Sequence, residues 1–223
     1  MSLDEVKQNV INGKVKRISG SVQLALSKGY SPEEIINAMT ESMLQVGELF
    51  HNSDIYVPEM LVAAATMKKG LALLRPLLSA EQHTNHERVI LGTVRGDLHD
   101  VGKNLVCCTL ESFGFEVNDM GVDVSPEDFV EAVRRDPDCH LLGLSALLTT
   151  TIPSIEETIA ALREAGLRDQ VYIMVGGAPL NAELAKELGA DSYSPDAYAT
   201  ALAALDQVEK LKREAEEAEA AAQ

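Results

Sequence analysis

The sequence predicts an α/β protein in two parts: a bundle of about four helices, then a five-stranded parallel sheet covered by helices on both faces. Three observations predict it. Apolar residues recur at three- and four-residue steps through the first 80 or so residues, the spacing of a helical face. Beyond a polar stretch, short β-branched runs alternate with helical patterns, the order of a parallel sheet with crossover helices. A chain of 223 residues is also long for one compact core and comfortable for two.

The first helix opens at Ser2-Leu3-Asp4-Glu5, where Ser and Glu stand at capping-box spacing. A second box is spelled by Ser31-Pro32-Glu33-Glu34, with Pro at the first helical position. From there Ile35, Ile36, Met39, Met43, Val46 and Leu49 fall on one helical face, with Gly47 just behind it. Another helix opens at Val57-Pro58-Glu59 and runs through Met67, Leu71 and Leu74. The polar stretch Ser79 to Glu87 loses the periodicity and reads as a linker.

The strands follow at Arg88 to Thr93, Phe115 to Val117, Leu141 to Leu144 and Val171 to Val175, with a short edge strand at Asp191 to Ser194. Helical patterns intervene at Val101 to Phe113, Pro126 to Arg135, Ile155 to Ala165 and Ala182 to Leu188. The expected domains are 1–84 for the bundle and 85–210 for the sheet, with a charged, alanine-rich tail at 211–223.

Composition narrows the function. A net charge of −16 repels phosphate backbones and anionic lipid, so neither nucleic acid nor membrane is an expected partner. No apolar run approaches a membrane span, and the first residues lack a signal-peptide layout, so a cytoplasmic protein is expected. Cys107, Cys108 and Cys139 fit no structural-zinc spacing and read as three core thiols. With 4% aromatic residues and no Trp, a stacking surface for bases is disfavoured.

Functional loops of a parallel sheet lie beyond the carboxyl ends of its strands. Directly after the first strand stands Gly96-Asp97-Leu98-His99-Asp100-Val101-Gly102-Lys103-Asn104. Asp97, two residues before His99, is close enough to hold one imidazole nitrogen while the other faces a metal. Gly102 removes a side chain where the next helix begins, which leaves room for something bulky. Alone, such a His and Asp in a loop are more often a hydrogen-bonded surface pair than a metal site. Two further strand ends change the balance: Ser145-Ala146-Leu147 followed by Leu148-Thr149-Thr150-Thr151, and Gly176-Gly177. Features at three strand ends point to one crevice for a large ligand, and the absence of a GxGxxG pattern makes a dinucleotide a poor first candidate.

The pattern Asp97-x-His99-x-x-Gly102, then 42 residues, Ser145-x-Leu147, then 28 residues, Gly176-Gly177, resembles the signature of base-off, His-on cobalamin-binding domains. The helical half is similar to the cap of methyl-carrying corrinoid proteins, through Val46-Gly47-Glu48-Leu49-Phe50 and Tyr56-Val57-Pro58-Glu59. The resemblance covers nearly the whole chain and implies a Rossmann-like (flavodoxin-like) cobalamin-binding domain beneath a helical cap. It implies a cobalamin or related corrinoid whose cobalt takes His99 as lower ligand, with Asp97 and Thr151 completing a relay. Ser145 would hydrogen-bond the displaced base, and Gly102, Gly176 and Gly177 would make room for the nucleotide tail. Further cofactor contacts are implied at Gly96, Asp100, Val101, Leu147 and Thr149, and in the cap at Met43, Val46, Phe50 and Val57.

The function so implied is methyl carriage. Cobalt(I) would accept a methyl group from a substrate-specific methyltransferase, and methylcobalt(III) would deliver it to a second methyltransferase with a tetrahydrofolate or thiol acceptor. A reductive activation protein is a further implied partner. Three other readings share parts of the pattern: a corrinoid-dependent sensor or regulator, a carbon-skeleton mutase subunit, and a metal-dependent phosphohydrolase using the His99-Asp100 pair.

Overall fold

The computed structural model describes residues 2–77 and 87–221. Most of the expected linker, and the boundary expected at residue 84, lie outside the described residues. The chain divides into two compact units, Met1–His86 with Cys108–Glu116, and Glu87–Cys107 with Val117–Gln223.

The first unit holds helices α1 (Ser2–Ile11), α2 (Ile18–Ser27), α3 (Pro32–His51) and α4 (Val57–Leu74). The box at Ser31 forms as expected: its hydroxyl accepts from the Glu34 N–H at 3.2 Å, and Glu34 Oε2 accepts from the Ser31 N–H at 2.8 Å. Two otherwise orphaned donors are satisfied, which fixes where α3 begins. The stripe on α3 is buried where the spacing puts it, with Ile35, Met39, Met43 and Val46 all 0% exposed. Facing elements supply Val6, Val10, Ile18, Val22, Met60, Met67 and Leu74, each sealed from solvent. Burying side chains of this size contributes about 1.5–3 kcal/mol apiece. A polar contact inside the bundle is paired, Asn9 Nδ2 donating to Ser21 Oγ at 3.0 Å.

In the second unit the strands are β1 (Arg88–Thr93), β2 (Glu116–Asp119), β3 (Leu141–Ser145), β4 (Tyr172–Gly176) and β5 (Ser192–Tyr193). They form one sheet in the order β2-β1-β3-β4-β5. The pairs β1/β3, β3/β4 and β4/β5 are parallel, with Thr93 level with Ser145 and Ser145 level with Gly176. The chain crosses over between β1 and β3, so the loops that follow these two strands diverge and open a crevice. The connecting helices are α5 (Val101–Ser112), α6 (Pro126–Arg135), α7 (Ile152–Glu164), α8 (Ala182–Glu187) and α9 (Ala197–Ala221). One core cluster joins Ile90, Leu142, Leu144, Ile173 and Val175 of the sheet to Phe129, Val133, Ile155 and Ile159 of the helices.

The structure adds one element and corrects one expectation. Residues 197–210 carry no element in the sequence reading, yet α9 occupies them, because its buried stripe is Ala197, Tyr198, Ala201, Ala204 and Val208. Three of those five are alanines, whose small apolar area gives a weak periodic signal. The charged, alanine-rich end continues α9, which runs unbroken through residue 211 to Ala221. Cys108 is exposed, while Cys107 and Cys139 are buried. Adjacent residues on a helix point about 100° apart, so Cys107 and Cys108 cannot share the inward face.

Candidate functional site

β1 ends at Thr93 and the chain turns sharply at Gly96, whose φ is 82°. Only a residue without Cβ takes this conformation freely. The turn is clamped from the loop after β2: Asp123 Oδ1 accepts from the Gly96 N–H at 2.7 Å, and the Asp123 N–H donates to the Asp97 carbonyl at 3.0 Å. Thr93 Oγ1 donates to the His99 carbonyl at 3.0 Å, which ties the far side of the loop back to the strand.

Asp97 is the hub. Its side chain is 0% exposed, while that of His99 is 51% exposed. Oδ1 accepts from the His99 N–H at 3.0 Å and lies 2.7 Å from His99 Nδ1. Oδ2 accepts from the N–H groups of Leu147 at 2.7 Å and Leu148 at 3.3 Å, and stands 2.8 Å from the Thr151 hydroxyl. That hydroxyl is also 2.9 Å from the Leu148 carbonyl, so its single proton is shared between two acceptors. Burial by itself would raise the Asp97 carboxyl, but the hydrogen bonds from Leu147, His99 and Thr151 outweigh it and hold the group far below the usual carboxylate range. An ionised acceptor at Nδ1 fixes the imidazole with its proton on Nδ1 and its lone pair on Nε2.

Around the imidazole the surface is apolar. Leu98 is 72% exposed, Val101 82%, and Leu147 and Leu148 41% each. Aliphatic side chains exposed on the two loops that meet at a half-exposed histidine are of the kind that mark a ligand surface. Asp100, Gly102 and Thr149 are exposed beside it. A Cβ on Gly102 would meet nothing among the described residues within 4 Å, so the start of α5 presents open space there.

The glycine pair does two different jobs. At Gly177, with φ of 139°, a Cβ would lie 1.7 Å from the Ala146 carbonyl oxygen, so the ends of β3 and β4 approach only because no side chain stands between them. At Gly176 a Cβ would stand 3.3 Å from the Ser194 carbonyl oxygen, a close approach to the end of β5.

The structure thus brings together Gly96, Asp97, His99, Leu147 and Thr151, and sets Ser145, Gly176 and Gly177 on adjoining strand ends. The expected cap residues belong to the helical unit. There Phe50 is half-buried and Val57 is 41% exposed, whereas Met43 and Val46 are fully buried. They lie on the same face of α3 as Ile35 and Met39, packed into the buried stripe of that helix.

Several contributors escaped the sequence reading. The Leu147 and Leu148 donors are backbone groups, which no residue type announces. Asp123 acts across 26 positions of sequence from Asp97, in a left-handed conformation with φ of 54° that its residue type does not announce. Lys103 was read only as part of the loop, but its side chain is 2% exposed and its Nζ lies 2.6 Å from both carboxylate oxygens of Asp119. This pair pins the first turn of α5 to the end of β2. Among the described residues, no group of three or more His, Cys, Asp or Glu side chains is placed to hold a metal ion. No described helix is long and apolar enough to cross a membrane.

Comparison with known proteins agrees with this geometry. A B12 binding domain model matches residues 87–205, and a second B12 binding domain model matches residues 2–75. A dimethylamine corrinoid protein of Methanosarcina acetivorans is 40% identical over 196 residues, covering 87% of this chain and 91% of the relative. The crystal structure of a cobalamin-binding protein from Desulfitobacterium hafniense superposes with a TM-score of 0.77 at 30% identity, covering 95% of this chain and 97% of that one. The methanol:cobalamin methyltransferase complex from Methanosarcina barkeri matches with a TM-score of 0.79 at 24% identity, over 93% of this chain and 79% of that one, a likeness of fold.

Proposed function

This chain belongs to the B12-binding family of corrinoid proteins, and on that premise we propose that it carries methyl groups between methyltransferases on a corrinoid held from below by His99. The observation that carries the proposal is the imidazole itself: Nδ1 is held 2.7 Å from a buried carboxylate, and the ring is otherwise half exposed. Nε2 is the nitrogen left to meet a metal, with its lone pair outward. The exposed Leu98, Val101, Leu147 and Leu148 suit the apolar face of a large flat macrocycle, and the open space at Gly102 accommodates its bulk.

When bound, the corrinoid supplies a cobalt centre that accepts and donates a methyl group. The chain's residues place it and manage one proton. Asp97 keeps the proton on Nδ1 while Nε2 is engaged. Were Nε2 to be freed from the metal, the Asp97 carboxylate would remain at Nδ1 and hold the ring in place. The Thr151 hydroxyl and the Leu147 and Leu148 N–H groups keep Asp97 ionised throughout. In the cap, Phe50 and Val57 are the side chains assigned to exclude water from the methyl-bearing face.

A substrate-specific methyltransferase would load the carrier, and a second one, with a tetrahydrofolate or thiol acceptor, would unload it, with a reductive activation protein restoring the reactive state. The dimethylamine corrinoid relative favours a methylated amine as the methyl source. The test is a visible-absorption titration of apo-protein with hydroxocobalamin. Stoichiometric binding with a base-off, His-on spectrum that His99→Ala loses is the expected result. A folded wild-type protein that binds no cobalamin overturns the reading.

A further inference from the structure

Lys103 stands where a cation is least welcome. Its side chain is 2% exposed, and it is the third residue of α5, in the turn that carries the positive end of the helix dipole. Burial and the dipole both disfavour an ammonium there, and an apolar residue would fill the same space without either cost. The contacts of Nζ show what the charge does.

All three donors of the ammonium have an acceptor. Nζ lies 2.6 Å from Oδ1 and 2.6 Å from Oδ2 of Asp119, and it donates to Asn104 Oδ1 at 2.8 Å. Asn104 in turn donates from Nδ2 to Asp100 Oδ2 at 3.1 Å. The amide of Asn104 therefore turns its oxygen to a cation and its nitrogen to a carboxylate, the orientation that the charges at either end require.

Both ends of this series of contacts are fixed to the His99 loop. At one end Asp119 Oδ1 accepts from the Gly121 N–H at 2.9 Å, and the Gly121 carbonyl accepts from the Thr93 N–H at 3.0 Å, so the anchor is tied to β1. At the other end stands Asp100, the chain neighbour of His99. Asp97 and Thr93 hold residue 99 from the strand side, by its N–H, its ring and its carbonyl. Asn104 holds Asp100 from the helix side, by its carboxylate and, through the Asn104 N–H at 2.7 Å, by its carbonyl.

We infer that Asp119, Lys103 and Asn104 are positioning residues for the cobalt ligand: through Asp100 they hold the helix side of the His99 loop, so that Nε2 stands where it can bind cobalt. The inference rests on the corrinoid-binding reading above. Outer partners of a metal ligand of this kind change metal affinity by roughly ten- to a hundredfold when removed.

The experiment is a double-mutant cycle against His99, read by visible-absorption titration of the full apo-chain with methylcobalamin. Lys103→Met, Asn104→Ala and Asn104→Asp are each made in wild type and in His99→Ala. Every one is expected to weaken binding about tenfold in wild type and to change nothing in the His99→Ala background. Asn104→Asp keeps an oxygen for Lys103 but has no N–H for Asp100, so it is expected to match Asn104→Ala. Equal loss in both backgrounds would show a role in the fold or in direct contact with the cofactor and overturns the inference, as does no loss in either. Asn104 is exposed, so Asn104→Ala carries the decision if Lys103→Met does not fold. If His99→Ala binds too weakly to titrate, the spectrum of saturated protein decides: a larger share of cofactor without a nitrogen lower ligand is expected in Asn104→Ala than in wild type, and an unchanged share refutes the assignment. Wild type that binds methylcobalamin with no nitrogen ligand removes both this inference and the His99 ligation while leaving corrinoid binding intact; wild type that binds none removes all three.

Discussion

Asp97→Asn is close to isosteric, yet the hydrogen-bond pattern leaves it no satisfactory orientation. With its nitrogen toward β3, the amide meets the Leu147 and Leu148 N–H donors, placed 2.7 and 3.3 Å from the present oxygen, and Thr151 loses a strong acceptor. Turned the other way, it meets the His99 N–H, placed 3.0 Å from Oδ1. Either choice sets at least one backbone donor against another donor, at a cost of about 1–3 kcal/mol. The bonds that remain change from charge-assisted to neutral, a further loss of about 1 kcal/mol each. The sum is about 3 kcal/mol, a large share of the roughly 5–15 kcal/mol that holds a typical domain folded. His99→Ala is the control: it takes the Nδ1 partner from Asp97 Oδ1 but leaves that oxygen the backbone N–H of residue 99, and about 1 kcal/mol is expected. The assay is urea unfolding of the apo-proteins followed by circular dichroism, with midpoint and slope compared. An Asp97→Asn protein that unfolds at the wild-type midpoint, or a His99→Ala protein that loses as much as Asp97→Asn, would refute the reasoning that Asp97 organises this loop.

Further outcomes follow from other contacts. Gly177→Ala places a Cβ against the Ala146 carbonyl and is expected to cost more than about 3 kcal/mol or to prevent folding, read by thermal unfolding. Gly102→Ala, which meets nothing within 4 Å, should fold like wild type and bind hydroxocobalamin less tightly; unchanged binding would show that the ligand does not use this opening. Thr151→Val removes one donor to Asp97 and should cost about 1 kcal/mol in urea unfolding, while Thr151→Ser should restore it. Burial raises the Asp119 carboxyl, but Lys103 and the Gly121 N–H outweigh this and hold it below its ordinary value. Its stabilising effect is therefore complete above the unfolded carboxyl value of about 4 and fades as pH falls toward the native value. Asp119→Asn should accordingly flatten the acid limb of the stability profile, as measured by thermal unfolding between pH about 6 and about 3.

Much of the fold is legible because its signals are local. The capping box at Ser31 and the α3 stripe need only neighbours within a turn or two, and both form where the spacing puts them. The alternation of apolar runs and helical patterns likewise marks β1, β3 and β4 to within a residue. Where apolar area is small, the signal fades: α9, with alanines along its buried face, has almost no stripe to read. Met43 and Val46 show a related limit, since an apolar residue on a helix announces burial but not whether core or ligand provides it.

For the site, the sequence by itself determined the chemistry available: a histidine two residues from an aspartate after a strand, hydroxyls after another, and paired glycines after a third. Those are choices of residue type and spacing, and they survive any change of conformation. Only the tertiary structure decided what each group does. The crossover of β1 and β3 is what sets Leu147, Leu148 and Thr151 against Asp97, and their combined donors keep that carboxylate ionised and the histidine in one tautomer. The register of β5 against β4 is what sets Ser194 level with Gly176. Such relations join residues some twenty to fifty positions apart, and strand order and register are properties of the assembled sheet that no local pattern encodes.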